Sequence, residues 1–164
     1  MDRKIENIMI LKPNGVRKFL FNWVLTNELA IGNAPKNNVA VEKLKKENIV
    51  SIISLCSEQE SKLADNIQNL FDCNRIILPD HKSGRYPSLD ELVKVLDVIE
   101  KLKNNGPIFV HCVAAMERSP LVCMGWLIRE HGLETLEALE YMMQIHKGTS
   151  PLQGQLDLLN KLKD

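Results

Sequence analysis

The sequence predicts an α/β fold: a single-domain three-layer sandwich with helices on both sides of a central, mostly parallel sheet of about five strands. Short apolar runs rich in β-branched residues alternate along the chain with longer segments of helical periodicity. This alternation is typical of parallel strands joined by helices. The chain has 164 residues, a length that suits one domain with a well-formed core and is short for two.

The individual elements follow from local patterns. The helices carry their apolar residues on one face, whereas the later strands are continuous apolar runs. Ser57 with Glu60, and Ser88 with Glu91, have the spacing of capping boxes at helix starts. The predicted strands are 19–23 and 29–32, joined by a turn at 26–27, then 49–55, 75–78 and 107–110. The predicted helices are 38–48, 57–71, one from 88 to the break at 104–107, one across 121–128, then 133–146 and 151–162.

Residues 1–18 are weakly patterned and are predicted to form a mobile or loosely packed lead-in to a domain at 19–164. The chain has 21 basic and 21 acidic residues, so no overall charge draws it to nucleic acid or to an anionic membrane. It has no apolar stretch long enough to span a membrane and no recognisable secretory signal. We therefore expect a cytoplasmic protein with neither a nucleic-acid nor a membrane partner, and the sequence leaves its oligomeric state open.

The strongest chemical signal is the segment 111–120, which reads His-Cys-Val-Ala-Ala-Met-Glu-Arg-Ser-Pro. Cys112 and Arg118 bracket five residues, between a predicted buried strand and an apolar helix. Ser119 is predicted to be the N-cap of that helix, and Pro120 is predicted to lie in its first turn. A strand, a short loop and a helix N-terminus form a common anion-binding geometry. The segment therefore predicts a loop that wraps a phosphate group.

Cys112 is the candidate nucleophile, because helix N-termini and nearby cations favour the reactive thiolate. Its attack on phosphorus would give a phosphocysteine, which water then hydrolyses. Arg118 is the candidate phosphate ligand, because a planar guanidinium can hold two oxygens at once. Ser119 could donate a hydrogen bond to the Cys112 sulfur, or act only as the helix cap. The other interpretations are an inert buried cysteine and an arginine that reaches solvent.

Asp80 is the candidate general acid, which would protonate the departing oxygen. It follows the predicted strand 75–78 in a loop flanked by prolines. The carboxyl ends of parallel strands meet at one edge of a sheet, so the Asp80 and Cys112 loops are expected to be neighbours. The alternative is an aspartate that only forms a turn after Pro79. The four cysteines and four histidines show no zinc-like spacing, so we expect no metal or other cofactor.

The motif Cys-x5-Arg-Ser, preceded by His, resembles the signature of the cysteine-dependent protein tyrosine phosphatase superfamily, and the short chain resembles its compact dual-specificity branch. The resemblance implies a dual-specificity phosphatase-like sandwich in which Cys112 is the nucleophile and Asp80, about thirty residues earlier, is the acid. It also implies that His111 hydrogen-bonds inward and helps to set the thiolate. The implied phosphate-binding loop consists of Val113, Ala114, Ala115, Met116, Glu117 and Arg118.

Two loop residues depart from the family pattern or bear on the substrate. Ala115 stands where the family usually has glycine; alanine fits if its φ is negative and otherwise strains the loop. Glu117 argues against very anionic inositol phosphate substrates, because relatives that act on them carry lysines in the loop. Cys56 ends the predicted strand 49–55, and some relatives protect an oxidised nucleophile by a disulfide to such a residue. We therefore hypothesise a reversible Cys56–Cys112 bridge.

The expected function is hydrolysis of phosphotyrosine, and by extension phosphoserine and phosphothreonine, in phosphorylated proteins or small phosphoesters. Two alternatives remain: a phosphate-binding interaction module with little catalysis, and a small-molecule or lipid phosphatase that uses the same site. Ala115 supports the module, whereas the intact set of Cys112, Arg118 and Asp80 supports an enzyme.

Overall fold

The computed structural model describes residues 18–163, so the predicted lead-in lies, apart from Lys18, outside the described residues. The described chain forms one five-stranded sheet in the order β1-β2-β5-β3-β4. Only the β1–β2 hairpin is antiparallel, and the other neighbours are parallel. The strands are β1 Phe21–Leu25, β2 Leu29–Gly32, β3 Ser51–Ser54, β4 Asp72–Arg75 and β5 Ile108–His111.

Six helices cover the two faces of this sheet within the described part of the chain. They are α1 Asn38–Lys46, α2 Ile67–Leu70, α3 Leu89–Leu102, α4 Arg118–His131, α5 Thr135–Ile145 and α6 Gln153–Lys161, with 3-10 turns at His81–Ser83 and Lys103–Asn105. Helices α3 to α6 pack on one face in a single apolar cluster. Helices α1 and α2 close the other face. The predicted three-layer α/β sandwich is confirmed.

Strand β5 shows why the sheet is buried on both faces. Phe109 packs with the α1 side of the sheet, whereas Ile108 and Val110 pack with the α3–α6 side. Successive side chains of a strand point to opposite faces, so a continuous apolar run suits a strand with helices on both sides. The predicted capping box at the start of α3 is also present, with reciprocal hydrogen bonds between Ser88 and Glu91.

The predicted helix 57–71 is wrong, since only the four residues of α2 are helical in that region. Ser57 and Glu60 do form the two reciprocal hydrogen bonds of a capping box, at 2.8 and 3.2 Å. These bonds close an isolated turn, and Glu60 also forms an ion pair with Arg118 at the sheet edge. The helix does not continue, because the Ala64 N–H donates to the Pro35 carbonyl at 3.1 Å instead of to the Glu60 carbonyl. A contact with another segment thus overrides a local helix signal.

The strand predicted at 75–78 is displaced by three residues, because the regular part of β4 ends at Arg75. The chain nevertheless stays extended beside its neighbour. The N–H groups of Ile76 and Leu78 donate to the carbonyls of Ser54 and Leu55 at 2.9 and 3.0 Å. The apolar residues of the predicted strand therefore still direct the chain to the carboxyl edge of the sheet.

The parallel register brings the carboxyl ends of four strands to one edge. His111 at the end of β5 is paired with Gly32 on one side and with Ser54 on the other, and Ser54 is paired with Arg75. The loops that follow β3, β4 and β5 therefore start side by side, which is where open parallel sheets bind ligands. Among the described residues, no helix is long and apolar enough to cross a membrane.

Candidate active site

The segment 112–117 connects β5 to α4 as a tight loop whose carbonyl groups face the surrounding protein. Four of its carbonyl oxygens accept hydrogen bonds from fixed groups on neighbouring elements. The pairs are Cys112 with the His111 ring at 2.9 Å, Val113 with the Ala34 N–H at 3.3 Å, Ala115 with the His146 ring at 2.7 Å, and Met116 with the Ser150 N–H at 2.7 Å.

The orientation of these carbonyls decides where the amide groups of the loop point. In a planar trans peptide the N–H of the next residue points away from the carbonyl oxygen. Each amide that follows a bonded carbonyl therefore points away from the group that binds that carbonyl; these amides belong to Val113, Ala114, Met116 and Glu117. None of them donates to another residue within 18–163. Unpaired amides beside the start of a helix form an anion-binding site.

Cys112 is the first residue of this loop, and its side chain adjoins the core at the carboxyl end of β5. The residue is 3% exposed and its thiol is free. Cys112 also lies close enough to Arg118 to contribute electrostatically to the raised pKa of that guanidinium. The sulfur and the guanidinium are therefore neighbours at this end of the sheet.

Arg118 begins α4, and its side chain is 4% exposed. Glu60 accepts hydrogen bonds from Nη1 at 3.3 Å and from Nη2 at 2.8 Å. Nη1 also donates to the carbonyls of Leu55 at 3.3 Å and Leu78 at 3.2 Å. Burial disfavours the charged guanidinium, but the hydrogen bond to Glu60 and the nearby acidic groups raise the pKa of Arg118 above its ordinary value.

The pairing with Glu60 leaves one edge of the Arg118 guanidinium available. Glu60 binds the end formed by Nη1 and Nη2, so the edge formed by Nε and the second N–H of Nη2 makes no hydrogen bond to any residue in the described range. That edge has the fork shape that matches two oxygens of a phosphate. Burial opposes ionisation of Glu60, yet hydrogen bonds from Arg118 and Ser57 lower its pKa, so it is an anion at neutral pH.

Asp80 lies in the loop after β4 and is only partly buried. Its Oδ1 accepts a hydrogen bond from the Lys82 N–H at 3.0 Å and caps the short 3-10 turn. The turn is tied to the Cys112 loop by Glu117, which accepts from the His81 N–H at 2.8 Å and has its other oxygen 3.2 Å from the His81 ring. The loop that carries Asp80 and the loop that carries Cys112 are therefore joined directly.

His111 is completely buried beneath the loop. Its Nδ1 lies 2.9 Å from the Cys112 carbonyl and its Nε2 lies 2.7 Å from the Ser54 hydroxyl. Because a carbonyl can only accept, Nδ1 carries the proton and Nε2 accepts from Ser54. Burial lowers the pKa of His111 to about 4, so the ring is neutral at neutral pH. Both hydrogen bonds of the ring run inward, and the support of the thiolate by His111, which the family resemblance implies, stays a prediction.

Ser119 differs from the prediction. The helix begins two residues earlier than expected, with Glu117 instead of Ser119 at the N-cap position, so Ser119 lies inside the first turn and does not cap it. Its hydroxyl is fully buried and makes no hydrogen bond to any residue of the described chain, the Cys112 sulfur included. An unpaired buried hydroxyl costs about 1–3 kcal/mol, and such a group at a candidate site calls for an explanation.

Ala115 adopts the left-handed conformation, with φ of +57°. The alternative in which alanine fits with negative φ is thus wrong for this loop. For a residue with a Cβ this conformation costs about 1–2 kcal/mol. The side chain is also fully buried, so the protein around it holds a strained peptide in place.

Cys56 is buried at the end of β3, where both Arg118 and Cys112 influence its titration. Burial raises the pKa of the Cys56 thiol, which protects it from direct oxidation. We expect peroxide treatment to oxidise Cys112 first and then to form a Cys56–Cys112 disulfide. Mass spectrometry of digests made without reductant checks this. Finding only sulfinic acid at Cys112, with no bridged peptide, would contradict the bridge.

Two residues in contact with the site are not among the candidates that the sequence predicts. The sequence pattern of Glu60 indicates only a helix cap, although its position after a strand predicted to run beside the Cys112 strand is a usable signal. The pattern around His146 indicates only the end of a helix, and no local pattern connects it to a loop thirty-one positions earlier. Both contacts depend on how the strands and helices assemble.

Comparison with known proteins agrees with this architecture. The chain resembles dual specificity protein phosphatase 1 of Homo sapiens, with 36% identity over 67 residues, which is 38% of this chain and 18% of that protein. It resembles dual specificity protein phosphatase PHS1 of Arabidopsis thaliana with 23% identity over 124 residues, 75% of this chain and 13% of that protein. The chain therefore spans less than a fifth of the length of these two curated relatives.

Two solved structures share the fold. The crystal structure of PTPMT1 in complex with PI(5)P superposes with a TM-score of 0.76 at 22% identity, covering 87% of this chain and 93% of that chain. The human tyrosine phosphatase-like serine/threonine/tyrosine-interacting protein superposes with a TM-score of 0.76 at 20% identity, covering 87% and 95%. A family model described as "Dual specificity phosphatase, catalytic domain" matches residues 30–164. The chain therefore belongs to the dual specificity phosphatase catalytic domain family.

Proposed function

We propose that the protein hydrolyses phosphate monoesters as a dual-specificity-type protein phosphatase, acting on phosphotyrosine and also on phosphoserine and phosphothreonine. The observation that carries this proposal is the loop 112–117, whose carbonyls are bound from outside while its amides are unpaired beside Cys112 and the available edge of Arg118. These groups together provide a nucleophile and donors for three phosphate oxygens. Their arrangement needs no metal ion to neutralise the phosphate.

In the first step, the Cys112 thiolate attacks phosphorus, and a sulfur–phosphorus bond forms as the bond from phosphorus to the ester oxygen breaks. Protonated Asp80 gives its proton to that oxygen, which leaves as an alcohol or phenol. In the second step, water attacks the phosphocysteine and loses a proton to the Asp80 carboxylate. The sulfur–phosphorus bond breaks, inorganic phosphate departs and the thiolate returns. Each step begins and ends with the same total charge.

The loop amides and Arg118 act on the phosphoryl group during both steps. Negative charge spreads over the three equatorial oxygens in the transition state, and fixed N–H donors stabilise it without reorganising. Glu60 holds the guanidinium before substrate arrives, so the entropic cost of ordering a long side chain is already met. The unpaired Ser119 hydroxyl is then a donor available to the sulfur as it departs from phosphorus.

The test of this proposal is turnover of p-nitrophenyl phosphate by the full chain in the presence of EDTA. We expect steady hydrolysis that orthovanadate inhibits competitively. A panel of phosphotyrosine, phosphoserine and phosphothreonine peptides, with phosphoinositides and soluble sugar phosphates beside them, then identifies the substrate class. Binding of orthovanadate without turnover of any ester would instead indicate the phosphate-binding module.

The substitution Asp80→Asn should reduce hydrolysis in proportion to how poor the leaving group is. A positioned general acid contributes about 10²- to 10⁴-fold, but mainly for alkoxides and unactivated phenoxides, which need a proton. We therefore expect a large fall in kcat with phenyl phosphate and a much smaller one with 2,4-dinitrophenyl phosphate. Asp90→Asn, in the exposed first turn of α3, is the matched control. An equal fall with both esters would contradict an acid role for Asp80.

A phosphate-binding module with little catalysis remains the second candidate, because one observation favours it. The strained left-handed Ala115 lies in the middle of the loop that must hold the transition state. Because the Ala115 peptide is strained, less energy is needed to rotate the loop amides away from the phosphate. A measured kcat far below that of compact phosphatases, together with tight vanadate binding, would favour this candidate.

A further inference from the structure

The left-handed Ala115 is held by a residue from the far end of the chain. Its carbonyl oxygen lies 2.7 Å from Nε2 of His146, which follows the last residue of α5. His146 is 1% exposed, so no water competes for this contact. A strained backbone conformation persists only where the surroundings over-determine it. The His146 ring is the only described side chain that donates to the Ala115 peptide.

A second hydrogen bond sets the orientation of the His146 ring. Its Nδ1 lies 2.8 Å from the side-chain nitrogen of Asn22, on strand β1. An amide nitrogen can only donate, so Nδ1 accepts, and the proton of the neutral ring lies on Nε2, where the Ala115 carbonyl needs a donor. Burial lowers the pKa of His146, which keeps the ring in this neutral form. Asn22 thus selects the tautomer that can hold the loop.

The chain after His146 supports the next peptide of the same loop. The Thr149 N–H and hydroxyl both bond the His146 carbonyl, at 3.1 and 2.7 Å, and this closes a turn. The turn places the Ser150 N–H 2.7 Å from the Met116 carbonyl. Two consecutive loop carbonyls are therefore bound by one short segment, 146–150. Their partner amides, those of Met116 and Glu117, point to the side where the anion is expected.

We propose that His146, oriented by Asn22, is a positioning residue that holds the Ala115 peptide in its left-handed conformation and so keeps the loop amides directed at the phosphate. This inference rests on the proposed function of the loop as a phosphate site. His146 touches no substrate. It acts through the peptide group between Ala115 and Met116. Without His146, the strain at Ala115 would favour rotation of this peptide group, and the rotation would turn the Met116 N–H away from the anion.

The proposal is tested by a double-mutant cycle that uses orthovanadate as the probe. His146→Ala should weaken vanadate inhibition of the full chain about fivefold, the equivalent of one lost hydrogen bond. Glycine adopts positive φ without strain, so the same substitution made in an Ala115→Gly background should weaken inhibition by less than about twofold. The effect of removing His146 thus depends on the Cβ of residue 115.

Equal losses in the two backgrounds would overturn the proposal, because they would mean that His146 contributes only to general packing. No loss in either background would overturn it as well. If His146→Ala does not fold, as judged by circular dichroism, Asn22→Leu replaces it in the same cycle and removes the donor that selects the tautomer. Vanadate affinity is measured by calorimetry as well as by inhibition. The protein could turn over no ester while its vanadate affinity still showed coupling between positions 115 and 146. That result would contradict the proposed hydrolysis and leave the positioning role of His146 intact.

Discussion

Replacing Cys112 by serine should abolish the hydrolysis of p-nitrophenyl phosphate, with kcat falling by at least about 10⁴-fold. A serine hydroxyl is a much weaker acid than a thiol and stays protonated at neutral pH. The adjacent His111 cannot activate it, because its two ring nitrogens are already bound to the Cys112 carbonyl and the Ser54 hydroxyl. The oxygen also lacks the nucleophilicity of a thiolate. The measurement is a steady-state assay on protein shown to be folded.

Cys73→Ser is the matched control for this prediction. Cys73 is a half-buried thiol in β4 whose sulfur donates to the Ile67 carbonyl, at 3.8 Å, and it belongs to neither candidate loop. Its replacement should leave kcat within about twofold of the parent value, since substitutions away from a site rarely alter its chemistry. Turnover by Cys112→Ser at the parent rate would eliminate the phosphocysteine mechanism.

Arg118→Lys should lower kcat by about 10³-fold and also weaken vanadate binding, because an arginine that stabilises a phosphoryl transition state contributes on this scale. The guanidinium can bind Glu60 at one end and two phosphate oxygens along its side. A lysine ammonium is a single point and cannot serve both partners with fixed geometry. The substitution keeps the positive charge but removes the two parallel N–H donors of the guanidinium. It therefore measures how much their geometry contributes to kcat.

Arg129→Lys provides the comparison for Arg118, since both arginines lie on α4 and both form ion pairs. Arg129 pairs with Asp97 and Glu100 on the surface between α3 and α4, well removed from the carboxyl edge of the sheet. We expect this variant to lose little stability, because exposed ion pairs contribute about 0–1 kcal/mol, and to keep full activity. A loss below tenfold in Arg118→Lys would show that the fork is not used in the transition state.

The best-predicted helices and strands are those whose burial requires a single pattern of apolar residues. Strand β5 and residues 120–128 of helix α4 are surrounded by protein, so both segments are mainly apolar, and both lie close to the predicted positions. Helix α3 combines a complete capping box with four buried residues on one face. In these segments the local propensity of the residues and their burial in the folded protein favour the same structure. A prediction supported by both is dependable.

The segment 57–71 was mispredicted for a physical reason. Its first turn has the hydrogen bonds of a helix start, but the Ala64 N–H then donates to the Pro35 carbonyl instead of to the Glu60 carbonyl, so the helix does not continue. The start of α4 lies two residues before the predicted one, which leaves Ser119 inside the helix. In the first case the deciding partner lies on another segment of the chain.

A largely parallel α/β sheet and a loop from Cys112 to Arg118 could be predicted from the order of residues alone, because apolar periodicity and spacing are local properties. Three contacts become visible only in the folded protein. Glu60 holds the arginine, Glu117 joins the two loops through His81, and His146 holds the strained Ala115 peptide. These contacts join residues that are far apart in the chain. Sequence spacing cannot predict them, because the residues come together only when the strands assemble into the sheet.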